Sequence, residues 1–86
     1  MSNKEKFEIR ELECWLYDDE WTVNTSYSMG IMQTAGNVRK AFTNYLKRKH
    51  GITFNHARTI IDYDGDCYTI LDRKTKEPLF MAIPNY

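Results

Sequence analysis

Apolar residues recur at every second position along the first third of the chain. Phe7, Ile9, Trp15 and Tyr17 share one parity. Trp21, Val23, Tyr27, Met29 and Ile31 share alternate positions after the polar stretch "DDE". Period-two alternation rich in aromatic and β-branched residues predicts two strands joined as a hairpin. With "DDE" as the loop, Tyr17 faces Trp21, Trp15 faces Val23 and Ile9 faces Met29, all on one side of a sheet.

The period then changes. Val38, Ala41, Phe42, Tyr45 and Leu46 follow the i, i+3, i+4, i+7, i+8 spacing of one helix face. A helix is predicted from there to His50, with Thr34 and Asn37 as candidate N-caps. Gly51 suits the left-handed position just past the helix, and Ile52 the apolar contact that follows it.

Beyond the helix, "RTIIDY" and "DCYTIL" flank Asp64-Gly65, a pair favoured in two-residue hairpin turns. That turn sets Tyr63 opposite Asp66, Ile61 opposite Tyr68 and Thr59 opposite Ile70. Residues 72–77 form the next loop, and Pro78 opens a final strand, a position that tolerates proline. The element order is β-β-α-β-β-β. It predicts an α+β fold, with a single antiparallel sheet of about five strands and one helix packed on one face. A chain of 86 residues implies one domain, spanning 1–86.

The alternation sorts residues by face. The helix is expected to cover Ile9, Trp15, Val23 and Met29 together with Ile61, Tyr68 and Ile70. The opposite side receives Leu12, Cys14 and Leu16, then Thr22, Asn24 and Ser26, then Ile60, Cys67 and Leu71. One helix covers one face, so this mixed outer side is left open. A solvated antiparallel face usually reads polar throughout, and leucines and isoleucines on one mark a candidate partner surface.

Charge changes the picture in the middle of the chain. The formal net charge is zero, but it is segregated. Residues 4–21 hold seven acids and three bases, residues 22–61 six bases and no acid, and residues 62–86 five acids and three bases. Lys47, Arg48, Lys49 and His50 lie in the last helical turns, where the helix dipole favours cations. Arg39 and Lys40 lie at the opposite end, where it does not, so an anion could be held there. Arg39, Lys40, Lys47, Arg48 and Arg58 are therefore the candidate residues for a phosphate or nucleic-acid contact.

Enzymatic and metal chemistry find little footing. Cys14, His50, His56 and Cys67 lack the paired spacing of a zinc site. A Cys14–Cys67 disulfide needs their strands to be neighbours. "DYDGD" lacks the twelfth-position carboxylate of a calcium loop, because that position is Arg73. No cofactor is implied, and no apolar run is long enough for a transmembrane helix.

These features predict a small, cytoplasmic, non-enzymatic interaction module. A regulator or inhibitor of a larger protein, of the kind phages and mobile elements carry, is the leading expectation. Its contact surface is the outer sheet face, Leu12, Cys14, Leu16, Ile60 and Leu71, extended by the acidic loop Asp18, Asp19 and Glu20. Nucleic-acid binding through the basic helix is the alternative, and a homodimer through the outer face is compatible with both.

Overall fold

A computed structural model of the chain describes residues 4–85. It contains β1 (Glu5–Tyr17), β2 (Glu20–Thr34), α1 (Val38–His50), β3 (Thr59–Asp64), β4 (Cys67–Asp72) and β5 (Pro78–Pro84). The strands form one five-stranded sheet in the order β2-β1-β5-β4-β3, and every neighbouring pair is antiparallel. The last strand is therefore inserted between the first and the fourth, and the two hairpins become the two wings of the sheet.

The helix lies across one face. Phe42 and Leu46 are fully buried against Phe7, Ile9, Met32, Ile70, Phe80 and Ala82. Phe54, from the segment that returns to β3, closes the core edge-on against Phe80 at 5.6 Å between ring centres. Asn37 is the N-cap, its side chain accepting from the Lys40 amide at 3.2 Å. Thr34, the other candidate, ends β2 and accepts from the Gly36 amide instead. Gly51 has φ 68°, and the Gly51 and Ile52 amides donate back to Lys47 and Leu46, which closes the helix as a Schellman turn.

Register is where the chain departs from its pattern. The first hairpin turns on two residues, not three. Asp18 and Asp19 both have positive φ, 50° and 63°, as a type I′ turn requires. Tyr17 consequently pairs with Glu20, Leu16 with Trp21, Trp15 with Thr22 and Cys14 with Val23. Two irregularities in β2 then each add a residue, one at Asn24 and one at Met29. The expected pairing holds only between them, from Arg10 to Glu13 against Thr25 to Ser28.

Each one-residue step exchanges the two faces. Near the tip, Val23 belongs to the outer side rather than under the helix, and Thr22 to the helix side. Asn24 is unpaired at its bulge. At the base, Met32 and not Ile31 enters the core, and Ile31 is exposed. Trp15 keeps its predicted side but lies beyond the reach of the helix and is 64% exposed.

The second hairpin is shifted by two residues. Asp64 pairs with Cys67, Tyr63 with Tyr68 and Ile61 with Ile70, so the turn residues are Gly65 and Asp66, with Gly65 at φ 64°. A shift of two preserves sidedness, so Ile61, Tyr68 and Ile70 face the helix as expected.

Candidate interaction surfaces

The face opposite α1 is uncovered among the described residues. Leu12 comes one step after the Glu11–Phe80 pair, and Leu71 is paired with Pro78, so both flank the start of β5 on this side. Ile60 pairs with Leu71 and extends the row to the β3 edge. Cys14 sits beside it, its Sγ 3.5 Å from the Pro78 carbonyl oxygen. The sheet thus brings Leu12, Cys14, Leu71 and Ile60 together although they come from three strands. Met81, opposite Arg10, and Ile83, opposite Glu8, fill the centre of the same face. The alternation of Met81 and Ile83 with Phe80 and Ala82 was readable, but only the central placement of β5 makes them part of the surface.

A polar network crosses this face. Arg10 bridges to the Glu8 carboxylate at 2.9 Å and donates to the hydroxyl and carbonyl oxygens of Ser26, while Ser28 donates to Glu8. The Arg10 hydrogen bond, foremost, holds the Glu8 carboxyl below its ordinary range.

The β1–β2 hairpin runs on past β5, whose ladder with β1 ends at Glu11. The projecting part forms a two-stranded arm. Leu16, Trp21 and Val23 lie on its outer side. The indole N–H of Trp21 donates to the Thr75 carbonyl at 2.9 Å, tying the arm to the β4–β5 connection. Glu11, Glu13, Trp15 and Tyr17 lie on its helix side. There Glu13 accepts from the hydroxyls of Thr25 and Tyr27. Asp18 and Asp19 occupy the tip. Glu20 faces Tyr17 on the helix side, so it does not extend the outer face as expected. Residues 11–38 contain five acids and no lysine or arginine.

The basic residues are divided by the helix. Arg39 and Lys40 line a groove of about 550 Å³ between the first turns of α1 and strand β3, with His56 and Arg73 beside them and Phe54, Ile61 and Ile70 as its apolar floor. The Arg39 guanidinium lies 6.0 Å from the centre of the Tyr68 ring. Arg73 is held by bonds to the His56 and Thr59 carbonyls. Arg48 faces the other flank, against Met32 and Gln33. Arg58 lies in an adjoining depression with Asp72, Lys74 and Thr75, Arg73 lines both, and Lys47 lies outside the groove. The five cations proposed as one set do not form one surface. His56 and Arg73 join Arg39 and Lys40 only through the fold.

Both cysteines are free thiols. Strand β5 separates Cys14 from Cys67, which rules out the bond between them without rearrangement. Burial, and next the charge of Glu77, raises the Cys14 thiol above its ordinary range, which makes it a poor nucleophile at neutral pH. Among the described residues no cluster of three or more histidine, cysteine or carboxylate side chains could hold a metal ion. None of the helices described is long and apolar enough to cross a membrane.

Comparison with protein-family models, with curated proteins and with solved structures returns no match. The functional reading therefore rests on these surfaces.

Proposed function

We propose that this protein is a non-enzymatic interaction module that binds a larger protein, as its regulator or inhibitor, through the outer face of the sheet. One observation carries the reading. A single helix covers one face; on the other, Leu16 and Val23 are exposed and Leu12, Cys14, Ile60, Leu71, Met81 and Ile83 are half-buried beside them, with no layer over them among the described residues. Leu16 and Val23 gain little by standing in water, whereas a partner would bury them together with the half-buried residues beside them. Asp18 and Asp19 at one end and Asp62 and Asp64 at the β3 edge border the patch, so the complementary surface is apolar with a basic rim. Two unpaired thiols are in keeping with a reducing, cytoplasmic setting.

The test is capture of the partner, followed by reconstitution from purified components. Leu16→Glu and Leu71→Glu each place a charge in the patch and should weaken the complex at least about tenfold, while circular dichroism remains that of the wild type. Normal binding by both folded variants would remove this face from consideration.

A second reading, nucleic-acid binding, draws support from the groove beside Arg39 and Lys40. It predicts binding that falls as salt rises, through release of counterions. An anisotropy titration with duplex DNA, single-stranded DNA and RNA distinguishes it. Lys40→Glu should weaken that binding and Lys47→Glu should have a smaller effect, because Lys47 lies outside the groove.

A further inference from the structure

The helix side of the molecule carries two features that the outer-face reading does not use. One is the arm, which presents Glu11 and Glu13 beside Trp15 and Tyr17. The two aromatic side chains are 64% and 75% exposed although both are large and apolar. The other is the groove, which sets Arg39, Lys40, His56 and Arg73 around the floor formed by Phe54 and Ile61. No acidic side chain lines it. The two lie at opposite wings of the sheet, the arm beside β2 and the groove beside β3.

We infer that the acidic, aromatic arm of one copy seats in the basic groove of a second copy. Charge complementarity selects this occupant. The arm is a run of five acids with no compensating lysine or arginine, and the chain as a whole is neutral, so its own groove supplies the missing charge. Apolar chemistry agrees. Trp15 and Tyr17 are large aromatic anchors of the type that dominates interfaces, and the groove floor offers an apolar seat between its cations. A nucleic-acid strand is a poorer occupant. Tracking a phosphate backbone needs a continuous basic stripe. Here Arg48 lies on the far flank of the helix, Lys47 lies outside the groove, and Asp72 breaks the run of cations in the adjoining depression of Arg58, Arg73 and Lys74.

The experiment is sedimentation velocity and equilibrium on the full chain, at low and at high salt. The wild type should show a weight-average mass rising above 10.3 kDa with concentration, and association should weaken about tenfold when salt screens the contact. Glu11→Lys/Glu13→Lys and Arg39→Glu/Lys40→Glu should each sediment as monomers. An equimolar mixture of these two variants should associate again, because each arm then meets a groove of opposite charge. Lys40→Glu alone should also weaken association, and because an acid in the first helical turn suits the helix dipole, loss of folding would not explain that effect.

Leu71→Glu, on the other face, should self-associate like the wild type, and this separates the inference from the reading of the outer sheet. A wild type that stays monomeric at high concentration and low salt would overturn the proposal. So would charge-reversed variants that associate normally, or groove variants that lose only nucleic-acid binding.

Discussion

The hydroxyl of Tyr45 occupies the space that a side chain at Gly30 would need. Gly30 has φ 109°, and a methyl group built on it would collide with the Tyr45 phenol. The same hydroxyl donates to the Met29 carbonyl at 2.8 Å, and the Nε2 of His50 lies 2.7 Å from that oxygen. Met29 is the extra residue of the β2 bulge, and its carbonyl accepts from the Tyr45 hydroxyl near the end of the helix. The bulge and the helix thus position each other. Gly30→Ala should cost about 2 to 4 kcal/mol through backbone strain and steric overlap combined. Urea denaturation measures the loss. Tyr45→Phe in the same chain should recover part of it, because the colliding oxygen is gone.

Exposure separates two aromatic residues that sequence patterning treats alike. Phe42 is fully buried and Trp15 is 64% exposed. Phe42→Ala should lower stability by about 3 to 5 kcal/mol, whereas Trp15→Ala should change it by less than about 0.5 kcal/mol. Chemical denaturation of the two variants checks the contrast. A large loss for Trp15→Ala would mean that the arm packs against its own chain.

The Asp18-Asp19 turn holds two non-glycine residues at positive φ. Asp19→Gly removes the steric cost at one of them and should stabilise the hairpin by up to about 1 kcal/mol. The gain should appear as a higher thermal midpoint. Slower amide exchange in residues 14–23 would locate it in the arm.

Acid should loosen the outer face before it reaches the core. The Glu8 carboxyl is held below its ordinary value of 4.5, first by the Arg10 hydrogen bond. A carboxyl depressed on folding adds stability that is fully present above its unfolded value and is lost as the pH falls through its folded value. Glu8→Gln should therefore reduce the pH dependence of stability below about pH 4.5 and leave its slope near neutrality unchanged. Denaturation midpoints measured from pH 7 down to pH 3 would reveal the difference.

What the sequence determined by itself was local. The helix over residues 38–50 was legible because its spacing, its cap at Asn37 and its stop at Gly51 all act within a few residues. The element order, the single uncovered face, and the placement of Leu12, Cys14, Leu16, Ile60 and Leu71 on it followed from alternation. The second hairpin survived an error of two residues because strand sidedness repeats every two.

What the tertiary structure decided was non-local. Two bulges in β2 exchange Val23 and Met32 between faces; Gly30 beside Met29 marks one of them, and no residue near Asn24 announces the other. They are set by the need to bring Met32 into the core while a two-residue turn closes the far end. Strand order is decided by burial, since β5 lies between β1 and β4 where Phe80 and Ala82 meet Ile9 and Ile70. That insertion leaves the β1–β2 arm unpaired beyond Glu11. The helix crossing divides the cations, leaving Arg39 and Lys40 in the groove and Arg48 on the other flank. Spacing along the chain reports which residues share a helix face or a strand face. It cannot report which strands become neighbours, because that choice depends on contacts between residues far apart in sequence, made together when the core closes.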